Sequence, residues 1–187
     1  PYPERTTDFC HEISQWAYDL YTNKGYEVIF ATVHGSHLYG TAHSDSDIDL
    51  YVVVQDGIQN QKKYEDDTDI MLIDLKNFFI KMNEGAHQAV EALCSPYSVW
   101  NEESYYTPMV KRVYPTRTSF VRKCLSATKS FRKRVEDGEK GNITKILRHA
   151  DRLEQSAILM MNNNYSPIYQ KFDKYGYKIL IALYSWS

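Results

Sequence analysis

Cysteine is scarce in this chain: there are three in 187 residues, Cys10, Cys94 and Cys124, far apart and with no C-x-x-C pair. An odd count at that spacing argues against both a disulfide framework and a four-ligand structural zinc site, so a reducing compartment is expected. Long apolar runs are missing too, since none approaches the roughly 20 residues of a membrane span. The opening PYPERTTDFC has neither the charged nor the apolar region of a signal peptide. The expectation is therefore a cytoplasmic protein with no membrane partner. No repeat of fixed period and no low-complexity linker divides the sequence. It starts without Met and stops just after an apolar helical pattern, so trimmed ends are expected.

What is present is enough for a folded core, because 43% of the residues are hydrophobic. The net charge of −2 hides a division. Residues 1–110 carry 6 Lys+Arg against 18 Asp+Glu, whereas residues 111–187 carry 16 against 6. One half is suited to cations and the other to anions, although two oppositely charged faces packed together would give the same counts.

The order of elements follows from periodicity. Thr6 or Thr7 is a candidate cap for a helix to about Asn23, with Phe9, Ile13, Trp16 or Ala17 and Leu20 at helical spacing, ended by Lys24-Gly25. Tyr26–Val33 reads as a buried strand. A second strand places Ile48, Leu50, Val52 and Val54 on one face and Asp47, Asp49, Tyr51 and Val53 on the other. Asp56-Gly57 signals a turn and a polar loop follows, after which Thr68–Ile73 gives a third strand. Beyond it the pattern turns helical. Short helices are expected at Leu75–Met82 and His87–Leu93, separated by Gly85 and closed by Ser95-Pro96. Longer ones are expected at Thr116–Asp137 and from an Asn142 cap to about Met161, the latter with a stripe of Ile146, Ala150, Leu153, Ala157 and Met160 or Met161. A loop at the NNN run and Pro167 precedes a last helix over Tyr169–Tyr184. The fold class is α/β, or α+β: a small mixed sheet with flanking helices and a C-terminal helical region. The charge break puts a boundary at about 95–110, dividing the chain into 1–105 and 106–187.

The stretch VHGSHLYGTAHSDSDIDLYVVV, residues 33–54, concentrates the chemistry. Alternate residues of a strand share a face, so the roots of Asp47 and Asp49 lie roughly 6.6 Å apart and both carboxylates can serve one metal centre. Gly35 lets backbone approach a phosphate, and the Ser36 hydroxyl can donate to it. Familiar motifs with similar letters fail. A P-loop would need Lys and a hydroxyl residue after Gly40, where Thr41 and Ala42 stand. A calcium loop beginning at Asp45 would need Gly at Leu50 and Glu at Asp56. His34, His37 and His43 lack the H-x-x-x-H spacing of a helical metal site.

Gly35-Ser36, ten intervening residues and Asp47-Ile48-Asp49-Leu50 together resemble the signature of the DNA polymerase beta-like nucleotidyltransferase superfamily. The string GSHLYGTAHSDSDIDL is similar to its predicted-nucleotidyltransferase branch, which includes YcgL-like and RNA-ligase-associated proteins of bacteria and phages. The resemblance implies a nucleotidyltransferase core in residues 1–105, with a bacterial or phage-infected cytoplasm as the setting. It implies that Gly35 and Ser36 hold a nucleoside triphosphate and that Asp47 and Asp49 bind Mg2+, with Mn2+ as an alternative. A third acid is implied on a later strand; Asp69 matches best, with Asp74 as the rival on the opposite face. DLKNFFIKMNEGAHQAVEALCSP resembles the branch's helix pair, with Glu91-Ala92-Leu93 as its E-x-L segment. Lys145, His149 and Arg152 resemble its K-x-x-x-H-x-x-R element and share one helix face that can meet phosphate. They fit equally well as a polar face beside the core stripe.

The implied activity is transfer of a nucleoside monophosphate to an acceptor hydroxyl of RNA, protein or a small molecule, with release of pyrophosphate. Residues 111–134 hold Lys111, Arg112, Arg117, Arg122, Lys123, Lys129, Arg132, Lys133 and Arg134 and no acid, interleaved with Tyr114, Phe120 and Phe131. Cations with interspersed rings suit an RNA or other nucleic-acid partner, and intramolecular pairing with the acidic half explains them as well. A non-catalytic nucleotide sensor and an RNA-binding module on the same fold are the alternatives.

Overall fold

The computed structural model describes residues 2–4, 8–58, 61–113 and 117–162. The expected caps Thr6 and Thr7, the ring of Tyr114, the loop at Pro167 and the helix over Tyr169–Tyr184 lie outside the described residues.

Five strands form one mixed sheet, β1 (Val28–His34), β2 (Ile48–Val54), β3 (Gln61–Glu65), β4 (Thr68–Asp74) and β5 (Val99–Trp100), in the order β3-β4-β2-β1-β5. Strand β2 runs parallel to β4 and antiparallel to β1, while β3 and β5 pair antiparallel with β4 and β1. The sequence led us to expect three strands. The two additional ones are β5, of only two residues, and β3, which falls in the stretch expected to be a polar loop. Strand β3 reads QKKYE and is solvated on both faces, so it has no apolar alternation to betray it. Its lysines are a common protection for an exposed sheet edge. The β3–β4 hairpin turns at Asp66 and Asp67, both at positive φ (44° and 62°), as a two-residue loop between twisted strands requires.

The strands bury both faces. Ile48, Leu50, Val52 and Val54 of β2 join Ile70 and Leu72 of β4 against Phe9, Ile13, Ala17 and Tyr21 of α1 (Phe9–Asn23). Helix α1 follows Asp8, whose carbonyl accepts from the amides of His11 and Glu12. On the opposite face, Tyr51, Val53 and Ile73 pack with Phe78 of α3 (Leu75–Asn83), Ala89 and Val90 of α4 (His87–Leu93), Phe120 and Cys124 of α6 (Arg117–Glu136) and Leu153 and Ala157 of α7 (Ile143–Asn162). A register shift between Val28 and Phe30 turns both Ile29 and Phe30 to this second face. There Phe30 stacks on Trp100 at 4.5 Å and meets Phe78 edge-on at 5.6 Å. The core is therefore continuous across residue 105, with α6 and α7 laid on the same sheet face as Tyr51 and Val53. Two short helices, α2 (Gly35–Tyr39) and α5 (Thr107–Val110), complete the described set.

Gly85 shows how closely α6 is seated. It lies at φ 72°, and a Cβ there would come within 2.4 Å of the Ser119 carbonyl carbon and 2.5 Å of the Phe120 nitrogen. Both obstacles are backbone, so no rotamer change relieves them. Gly85→Ala is expected to cost at least about 2 kcal/mol, combining a left-handed residue with displacement of α6. The midpoint of urea unfolding measures it.

Candidate functional site

The sheet register lays four side chains in a row on the face that carries α6 and α7. His34 of β1 is the cross-strand partner of Asp49 on β2, Asp49 of Asp69 on β4, and Asp69 of Tyr64 on β3. Laterally paired residues point to one face, so the two carboxylates are immediate neighbours. Asp74 is excluded from the row: it pairs with Val54 and caps α3, its Oδ1 accepting from the Asn77 amide at 2.8 Å. Asp47 stands one residue ahead of β2, largely exposed, with Lys145 Nζ 3.5 Å from its carboxylate. Lys62 Nζ lies 2.8 Å from Asp69 Oδ2. Burial raises the Asp49 carboxyl above its ordinary value, His34 opposes this, Asp69 adds to it, and Lys145 and Lys62 oppose it from either side.

Gly35 follows β1 directly and opens α2 at φ 63°. A Cβ at this position would lie 2.3 Å from Asp49 Oδ2, so only glycine lets the turn rest against that carboxylate. Gly40 ends α2 in the left-handed region, and the Thr41 amide returns to the Ser36 carbonyl at 2.9 Å.

Helix α7 closes the site from above. Asn142 caps it, Oδ1 accepting from the Lys145 amide at 3.0 Å. Of the three residues expected on one face, Lys145 reaches Asp47, and His149 stacks on Phe131 at 5.9 Å with the Tyr39 ring edge-on at 6.5 Å. Arg152 pairs with Glu91 and lies over the Tyr39 ring at 3.7 Å. Glu91 of α4 is a buried hub. Besides Arg152 it accepts from the Tyr39 hydroxyl, and His34 Nε2 lies 3.3 Å away, an ionic contact without the direction of a full hydrogen bond. Burial alone would raise the Glu91 carboxyl, but the Arg152 guanidinium, with His34 and His87, holds it well below the usual range. The sequence showed Glu91 only as part of a short resemblance and gave no sign that Tyr39 joins it; Tyr39 is buried at 4% exposure.

Two adjoining clefts share Tyr39, Asn142, Lys145, His149 and Arg152 as a common wall. The larger, about 570 Å³, also takes in Ser36, Asp47 and Arg148; the smaller, about 440 Å³, takes in His34, Gly35 and Asp49. All the expected site residues except Asp69 thus line one cleft or the other. His37 packs against Phe9 at 5.4 Å while His43 lines the larger cleft, and no group of three His, Cys, Asp or Glu among the described residues is arranged as a metal cage.

The basic segment divides. Phe120 is core, and Phe131 serves His149. Lys111 pairs with Glu102 at 2.7 Å, Arg132 with Asp151 and Glu154, Arg134 with Glu139, and Lys123 lies 3.9 Å from Glu84. Arg122, Lys129 and Lys133, exposed at i, i+7 and i+11 of α6, make no ion pair among the described residues.

The acid pair on adjacent strands, with a glycine turn against one of them, thus stands opposite a helix face that carries Lys145 and Arg152. Residues 19–93 match the family described as Polymerase beta, Nucleotidyltransferase, so this stretch is a nucleotidyltransferase domain of the polymerase beta-like superfamily. The match runs from the end of α1 through α4 and includes Gly35, Ser36, Asp47, Asp49, Asp69 and Glu91, while α6 and α7 lie beyond it. It supports a general role in nucleotidyl transfer and implies a nucleotide substrate. No curated protein sequence matches the chain. No helix among the described residues is long and apolar enough to cross a membrane.

Glu91→Gln would leave the Arg152 charge buried without its counter-ion, and a loss of about 3–5 kcal/mol is expected in urea unfolding. Glu91→Leu combined with Arg152→Met is expected to recover most of it. A second outcome concerns pH. Burial, then the charges of Arg152 and Lys145, lower His149 from 6.5 to about 4. Between those values the unfolded chain takes up a proton that the folded chain refuses, so stability falls as pH drops from 6.5 towards 4. Unfolding midpoints across that range are expected to slope less steeply in His149→Gln.

Proposed function

We propose that the protein transfers a nucleoside monophosphate from a nucleoside triphosphate to an acceptor hydroxyl, releasing pyrophosphate. The observation that carries this reading is the contact of Gly35 with Asp49, which stands beside Asp69, opposite the cationic face of α7.

The Gly35–Ser36 turn and the Lys145 ammonium would take the phosphates, a reading supported by their lining of the two clefts that share His149 as a wall. Arg152 Nε–H is buried and finds no acceptor among the described residues, so a ligand oxygen in the cleft it lines can take this donor. The carboxylates fit a magnesium or manganese ion: their oxygens are hard donors, and the raised Asp49 carboxyl reflects burial and a neighbouring like charge that a cation would relieve. Few protein ligands are needed, because phosphate and water complete the shell of such an ion. Asp49 and Asp69, neighbours across the ladder, and Asp47 beyond them form no three-ligand cage by themselves and would hold it together with the triphosphate; when bound it would supply charge neutralisation at the reacting phosphate.

In the step itself the acceptor hydroxyl gives its proton to Asp69. Its oxygen forms a bond to the α-phosphorus, the bond from that phosphorus to the bridging oxygen breaks, and the electron pair leaves with pyrophosphate. The wall formed by buried Tyr39 and partly buried His149 and Arg152 would limit the water that competes with the acceptor hydroxyl. For the acceptor, exposed Arg122, Lys129 and Lys133 favour RNA or another nucleic acid held along α6, with a protein or small-molecule hydroxyl as the alternative. A sensing module without chemistry would bind nucleotide and release no pyrophosphate.

Folded Asp47→Ala and Asp49→Ala are expected to lose pyrophosphate release by on the order of 10²-fold or more, as removal of a charge-stabilising group does. Full transfer activity in both variants, with a range of acceptors, contradicts the mechanism.

A further inference from the structure

We propose that Lys62 is a built-in counter-ion that occupies Asp69 and competes with a divalent cation for it, so that the edge strand β3 tunes cation affinity at the acidic row. The inference rests on the reading of Asp47, Asp49 and Asp69 as the cation-holding acids. Lys62 pairs with Met71 across the β3–β4 ladder, and Tyr64, two residues on, pairs with Asp69. Residues two apart share a strand face, so Lys62 and Tyr64 both stand on the face that carries the acids. The ammonium reaches diagonally to Asp69 Oδ2 at 2.8 Å and sits 5.6 Å from the centre of the exposed Tyr64 ring.

Each outer acid is thereby matched to a lysine, Asp69 to Lys62 and Asp47 to Lys145, with Asp49 between them. A cation approaching Asp69 needs the oxygen lone pairs that Lys62 engages. The lysine side chain is 54% exposed, and an ion pair at that exposure is weak, so the exchange is easily made and measurable rather than prohibitive. Edge lysines often serve only to prevent strand pairing, and Lys63 fits that role. Lys63 pairs with Ile70 on the other face of the ladder and forms no ion pair among the described residues. The two neighbours therefore carry the same charge, and only one of them touches the site.

The test measures Mn2+ binding to the full chain by electron paramagnetic resonance, without nucleotide. Lys62→Gln is expected to bind about two- to fivefold more tightly than the unaltered protein, the range an exposed ion pair allows. Lys63→Gln is expected to show little gain, and Lys62→Gln combined with Asp69→Asn none over Asp69→Asn alone. Unchanged or weaker binding in Lys62→Gln, an equal gain in Lys63→Gln, or a gain that survives loss of Asp69 overturns the competition while leaving the acids' role intact. Absent Mn2+ binding overturns the competition, which needs a cation held by the acids alone, and binding that is unaffected by Asp49→Asn overturns both readings.

Discussion

The candidate site depends on one buried ion pair. Glu91 sits in the matched nucleotidyltransferase stretch, and Arg152 sits on a helix beyond it. Their contact fixes α7 against the sheet, with the Tyr39 hydroxyl and His34 gathered on the same carboxylate. Together with the packing of Leu153 and Ala157 on the sheet, that tie holds Lys145, two turns earlier on α7, over Asp47. Such a pair is a costly way to gain stability, because both charges must leave water. Its value lies in placement, because it sets one cleft wall at a fixed distance from the acids.

Electrostatics explains the division of charge along the chain. The acidic part supplies Asp47, Asp49, Asp69 and Glu91, and the basic part supplies Lys145 and Arg152 to meet two of them. Much of the remaining positive charge is also spent inside the molecule, as with Arg132 on Glu154. A count that resembled a nucleic-acid surface is thus partly an internal balance. Among the described residues, the exposed row of Arg122, Lys129 and Lys133 on α6 is part of what is left for a partner.

Sequence alone carried the reading a long way where periodicity is strong. The α3–α4 pair, the span of α6 and the stripe of α7 are amphipathic and well punctuated by Gly85, Gly138 and Asn142, so their extents agree closely with expectation. Strand β3 was not legible, because a solvated edge strand has no core face to impose a pattern. With it went Lys62, whose contact with Asp69 exists only in the ladder. That Asp69 and not Asp74 stands beside Asp49 follows from the parallel register of β2 and β4, which local spacing does not encode. Tyr39 and Glu91 were underweighted for a similar reason: their partners come from α7, far along the chain.

The most direct measurement is product mass after incubation with each nucleoside triphosphate and magnesium, with RNA, protein and small-molecule acceptors in parallel. The account predicts an acceptor heavier by one nucleoside monophosphate, pyrophosphate in equal amount, and loss of both in Asp49→Asn. Release of inorganic phosphate and nucleoside diphosphate, or nucleotide binding with no heavier acceptor across the whole set, would contradict it.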